Sequence, residues 1–164
     1  MVISSMVFRN ILVATDGSKE SDKAIEVAVD LAVKLEAKVT FLHVINVPEL
    51  GEVPGMSEKP DKAIRDRLMD AGKKILEKAT QSSRRRKVVT NEKISFGYPA
   101  DTIVKEASTL GVDLIAMGSR GTTGIRRVMI GSTAEKVLRW SNVPVLIVKE
   151  PSETGPEERS NEEL

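Results

Sequence analysis

Apolar positions along this chain follow two alternating periods, and the alternation predicts its architecture. Residues 8–15 (FRNILVAT) form a short β-branched run that reads as a buried strand, closed by the turn Asp16-Gly17-Ser18. The stretch to Leu35 places Ala24, Ile25, Ala28, Leu31, Ala32 and Leu35 on one helical face, with Lys19, Lys23, Glu26, Asp30 and Lys34 opposite. That is the pattern of a helix lying on a sheet. Residues 38–45 (KVTFLHVI) give a second strand. Residues 46–60 then lose all periodicity around Pro48, Gly51, Pro54, Gly55 and Pro60, a long connection for a compact domain. A second helix is expected over 61–80, ended by SSRRRK, and a third strand over 88–96. A short helix follows Gly97 and Pro99, with a fourth strand at 113–118 (DLIAMG). A Gly/Thr/Arg loop leads to a fourth helix over 132–141, and VPVLIVK closes the series as a fifth strand. Alternating strands and helices predict one doubly wound α/β domain, a parallel sheet with helices on both faces.

Composition narrows the chemistry. The 164 residues include no cysteine and one histidine, His43, which removes thiol nucleophiles, disulfides and two-histidine metal sites. In the strand FLHV, a packed or hydrogen-bonded His43 is the expectation, not a catalytic base. Lys+Arg number 25 against 24 Asp+Glu, a net charge of +1 that disfavours a dedicated nucleic-acid binder. Arg84-Arg85-Arg86 reads as a solvated helix end. No apolar run approaches the ~18 residues of a membrane span. The start MVISSMVFRN lacks the regions of a signal peptide, so a cytoplasmic location is expected. Residues 1–6 read as an N-terminal extension, 7–150 as the domain, and the acidic, Pro/Gly-containing 151–164 as a disordered tail.

In an open parallel sheet, ligands sit beyond the carboxyl ends of the strands where the strand order reverses. After strand one stand Thr15, Asp16 and Gly17. After strand four come Gly118, Ser119, Arg120 and Gly121, then nine residues, then Gly131-Ser132 opening a helix. Glycines let backbone amides approach a ligand, and a helix N-terminus adds free N–H donors, the parts of a phosphate cradle. Arg120, Arg126 and Arg127 make this loop locally basic, with no acidic residue of its own. Ser132-x-x-Glu135 has the form of a capping box, so Ser132 is expected to cap the helix. Neither the dinucleotide GxGxxG spacing nor a P-loop Gly-Lys-Ser/Thr occurs.

Gly118-x2-Gly121-x9-Gly131-Ser132, together with ILVATDGSKES, FLHV and VPVLIVK, resembles the universal stress protein superfamily in its ATP-binding branch. The resemblance implies strand order 3-2-1-4-5, with Asp16 and Gly118 on the two sides of the switch point. It implies Asp16 at the ribose or adenine side and Ala14, Thr15 and Val44 lining the base. Gly118, Gly121, Gly131, Ser132 and Thr133 would hold the triphosphate, with Met117, Ser119 and Arg120 in the same site. ATP or another adenine nucleotide with Mg is the implied cofactor, the metal entering through the phosphates without protein ligands. A homodimer through Val143 to Val148 is the implied assembly. The function this supports is a nucleotide-dependent binding module in stress response or regulation, with an unnamed regulatory protein partner. Two alternatives stand beside it: a slow ATPase or phosphotransferase at the same site, and a protein-binding member without nucleotide affinity. No histidine or second carboxylate is visibly placed to activate a nucleophile, so at most weak ATP hydrolysis is expected.

Overall fold

The computed structural model describes residues 8–50, 62–121 and 130–149. The 1–6 extension, most of 46–60, Arg126, Arg127 and the 151–164 tail lie outside the described residues. The elements are β1 (Asn10–Ala14), α1 (Lys19–Leu35), β2 (Lys38–Asn46), a 3-10 turn (Val47–Leu50), α2 (Lys62–Arg84), β3 (Thr90–Gly97), α3 (Pro99–Thr109), β4 (Leu114–Gly118), α4 (Ser132–Trp140) and β5 (Val145–Val148). All pairings are parallel and the order is β3-β2-β1-β4-β5. The expected fold class and strand order are therefore observed.

Period-two alternation divides the central strands between two cores. Ile11 and Val13 of β1, with Leu114 and Ala116 of β4, pack beneath α1 and α2. Leu12 and Ala14, with Ile115 and Met117, pack beneath α3 and α4. Coverage of both faces is why these strands read as continuous apolar runs. Helix α1 starts where the Ser18 hydroxyl accepts from the Ser21 N–H at 3.2 Å, and stops at Glu36, whose φ is 54°. Its buried Ala24, Ala28 and Ala32 keep the helix close to the sheet.

Two expectations are corrected. Helix α2 does not end near residue 80 but runs through SSR to Arg84. The Thr80 and Ser83 hydroxyls donate back to the carbonyls of Leu76 and Ala79, so these polar residues are accommodated inside the helix. Strand β5 lies at the sheet edge, as the implied order places it, with Val148 buried and Val145, Leu146 and Ile147 half-buried. Ser132 does not cap α4. Gly131 occupies the N-cap position, its carbonyl accepting from the Glu135 N–H at 2.9 Å. The helix begins one residue earlier than the capping box requires, leaving Ser132 exposed at its first position. No helix among the described residues is long and apolar enough to cross a membrane.

Candidate functional site

The sheet order reverses at β1, which lies between β2 and β4. From β1 the chain leaves toward the α1/α2 face; from β4 it leaves toward the α3/α4 face. A crevice at the carboxyl ends of these two strands is the position where open α/β sheets take ligands.

On the β1 side, Asp16 makes an Asx turn in which Oδ1 accepts from the Ser18 N–H at 3.0 Å. Gly17 completes the turn with φ 79°, a left-handed conformation that side chains rarely adopt. The other carboxylate oxygen, Oδ2, lies 2.6 Å from where a Cβ on Gly121 would stand. Asp16 and Gly121 thus meet across the switch point, although 105 positions separate them in the chain. Thr15 behaves differently from its neighbours. Its buried hydroxyl lies 3.1 Å from Ser21 Oγ of α1, and its carbonyl is 2.9 Å from His43 Nδ1. The Thr15 side chain therefore belongs to the α1 side of the sheet. His43 is a hydrogen-bonded strand histidine, as expected, and its ring packs on α2: a Cβ on Gly72 would come within 2.8 Å of His43 Cδ2.

An apolar floor lies on the other face. Ala14 pairs in register with Leu42 and Met117, and these three share a cluster with Val44, Ile130 and Ala134. Ala14, Val44 and Met117 are thus brought together beside Asp16, whereas the Thr15 side chain is not.

The three motif glycines are needed for three different reasons. A Cβ on Gly118 would sit 2.9 Å from the carbonyl carbon and Cβ of Glu20 and 3.0 Å from the Ser21 nitrogen, so Gly118 lets α1 pack against the end of β4. Gly121 makes room for the Asp16 carboxylate. Gly131 donates its N–H to the Ser119 carbonyl at 2.7 Å, so this amide already has an intramolecular acceptor. The amides of Ser132, Thr133 and Ala134 lack intrahelical acceptors, as the first positions of any helix do. No side-chain hydrogen bond among the described residues caps α4.

Glu20 carries no motif signal, yet it is central to this region. Its side chain, 8% exposed, is held by the Ser119 hydroxyl, the Arg120 N–H and the Arg120 guanidinium. Burial raises its pKa, but these hydrogen bonds and the Arg120 charge outweigh that and hold it below the usual glutamate range. The expectation of an unopposed basic loop is corrected for Arg120, because its counter-charge arrives from α1. A second carboxylate does stand near the switch point, but one ionised and committed to four donors is a poor general base. The spacing gave no notice of it, since Glu20 and Arg120 are 100 positions apart. Gly72 was legible only as a glycine inside a helical pattern, a residue that costs about 1 kcal/mol there and so implies a packing reason. Among the described residues no group of three or more His, Cys, Asp or Glu side chains is arranged to hold a metal ion.

A doubly wound sheet with a glycine-lined crevice at its switch point defines a class of ligand-binding α/β proteins. The profile of the universal stress protein family matches residues 7–149, and the chain belongs to that family. It is 36% identical over 148 residues to the Bacillus subtilis universal stress protein YxiE, covering 87% of this chain and all of that one. The solved structure of MJ0577, a universal stress protein of Methanocaldococcus jannaschii, superposes with a TM-score of 0.78 at 30% identity, over 88% of this chain and 98% of that one. An Archaeoglobus fulgidus universal stress protein solved in complex with dAMP shares the fold, with a TM-score of 0.65 at 24% identity over 87% and 99% of the two chains.

Proposed function

We propose that this universal stress protein binds an adenine nucleotide, ATP or another, at the β1/β4 switch point and acts as a nucleotide-dependent binding module. The observation that carries the reading is the meeting of three parts in one crevice. These are the apolar Ala14, Val44 and Met117, the Asp16 carboxylate against Gly121, and the α4 N-terminus behind Gly131. An apolar surface suits a purine, a carboxylate accepts from ribose hydroxyls, and helix amides with a positive dipole end suit phosphate.

In this arrangement Gly118 lets α1 close on the end of β4, Gly121 leaves room for the Asp16 carboxylate, the amides of Ser132 and Thr133 face the phosphates, and Mg enters with the nucleotide. Thr15 contributes through the position of its backbone. Ser119 and Arg120 act within the protein, through Glu20. The nucleotide is bound with at most weak hydrolysis, because phosphates held by amides without a positioned base are not activated. Assembly is proposed through β5. Its Pro144 and Val148 carbonyls accept from Ile115 and Ser119 of the β4 side. In a parallel ladder alternate residues bond the same neighbour, so the N–H and C=O groups of Val145 and Ile147 point outward, and an open edge invites a second strand. Two copies joined edge to edge satisfy both.

The test is calorimetry with Mg-ATP on protein stripped of endogenous ligand. Saturable binding that weakens about tenfold or more in Asp16→Ala, as loss of hydrogen bonds to a charged group implies, supports the reading. No heat of binding from the intact protein removes it and leaves the protein-binding alternative.

A further inference from the structure

Ser119 joins three elements at the mouth of the site. Its N–H donates to the Val148 carbonyl of β5 at 2.9 Å, its carbonyl accepts from the Gly131 N–H at 2.7 Å, and its hydroxyl donates to Glu20 Oε2 at 2.6 Å. The residue is 1% exposed. Glu20 Oε2 also accepts from the Arg120 N–H at 2.7 Å, while Oε1 accepts from Arg120 Nε at 2.6 Å and lies 2.5 Å from Nη2. One carboxylate therefore grips two consecutive residues of the chain leaving β4. The grip on Ser119 continues, through the Ser119 carbonyl, to the N-cap residue of α4. Helix α4 has no side-chain cap of its own among the described residues, so this relay fixes where its first amides point.

We propose that Glu20 is a positioning residue of the nucleotide site: from α1 it holds Ser119 and Arg120 so that the α4 amides face the phosphates. The inference rests on the nucleotide reading above and deepens it. Glu20 sits in the first turn of α1, where the helix dipole favours a carboxylate, and Gly118 permits its approach by lacking a Cβ. A buried ion pair costs desolvation and is a weak source of stability, so its use here is to fix one geometry at the mouth of the crevice. Arg120 serves as the counter-ion of Glu20, not as a phosphate ligand.

The experiment compares ATP with adenosine by calorimetry in wild type, Glu20→Ala, Glu20→Gln, Arg120→Ala and the double alanine variant. Amide hydrogen exchange of the ligand-free proteins is followed in parallel. Glu20→Ala is expected to weaken ATP by about tenfold, a change of about 1.4 kcal/mol, while adenosine changes less than about threefold. A general loss of stability would not move that ratio. Glu20→Gln, still an acceptor for Ser119 and the Arg120 N–H, recovers part of the loss. Arg120→Ala adds nothing once Glu20 is gone; a further loss of ATP affinity in the double variant makes Arg120 a phosphate ligand and overturns the assignment. In exchange, Glu20→Ala is expected to release the Arg120 and Gly131 amides about tenfold faster, with the Thr15 amide of the core ladder unchanged. Unchanged exchange at Gly131, or an unchanged ATP-to-adenosine ratio, overturns the proposal. If wild type binds neither ligand, the nucleotide reading fails separately, and the exchange data alone decide whether Glu20 holds α4. Should Glu20→Ala not fold, Glu20→Gln carries both measurements.

Discussion

Replacing Gly118 with alanine adds a single carbon at the point where α1 crosses the end of β4. That carbon would lie 2.9 Å from two Glu20 atoms and 3.0 Å from the Ser21 nitrogen. Carbon atoms in contact prefer about 3.5–4.0 Å, so the first turn of α1 must retreat by roughly 0.6 Å or more. The obstructing atoms include backbone, which cannot swing aside as a side-chain tip can. A retreat of that size stretches the 2.6 Å bond from Ser119 to Glu20 beyond the favourable O–H···O range of about 2.5–3.0 Å. Overpacking of this kind costs about 1–3 kcal/mol, before any loss from the loosened carboxylate. In a chain of this size each kcal/mol lowers Tm by about 2–4 °C, so a fall of about 2–12 °C is expected. Gly131→Ala is the matched comparison, since its Cβ would stand 3.3 Å from the Ser119 carbonyl and need only a few tenths of an ångström of adjustment. Urea unfolding of wild type and both variants, followed by far-UV circular dichroism, gives the two free energies. Gly118→Ala within about 0.5 kcal/mol of wild type, the scatter typical of surface substitutions, would refute the packing argument.

Three further outcomes follow from the geometry. Ser18→Ala removes the side-chain acceptor of the Ser21 N–H and should lower stability by about 1 kcal/mol, read as a shift in urea midpoint at unchanged slope. Glu20 and Glu106 both have depressed folded-state pKa values. Each therefore contributes stability above the unfolded glutamate value that is lost as pH falls through the lower folded one. Stability should fall with acidification below the ordinary glutamate range, and more shallowly in Glu20→Gln; a wild-type slope of the opposite sign would sink this account. Ile147→Pro removes an outward-facing N–H from β5 and leaves the even-numbered carbonyls bonded to β4. Light scattering should then report a monomer where the proposed edge-to-edge pairing gives wild type a dimeric mass; a monomeric wild type, or a dimer intact in the variant, would exclude this edge.

The local pattern of the chain was enough for the kind and order of its elements. Ile11 through Ala14 and Leu114 through Met117 read as buried strands because apolar runs bounded by turn residues have few other solutions. The Ala24, Ala28 and Ala32 stripe could only lie on a sheet. Spaced glycines and the Asp16 turn marked the crevice for the same reason: where backbone must come close, side chains are missing, and that absence is written in the sequence. What the sequence could not state is which atoms fill those gaps. Gly118 admits the backbone of α1, Gly121 admits the Asp16 carboxylate, and Gly131 gives its amide to Ser119. The start of α4 at Gly131 was also hidden, because a capping box describes hydrogen-bonding capacity and not the backbone angle that decides whether it is used. Above all, Glu20 looked like one more surface charge on a helix. Its burial against Ser119 and Arg120 depends on β1 and β4 lying side by side, a pairing between segments about 100 residues apart that only the folded sheet brings about.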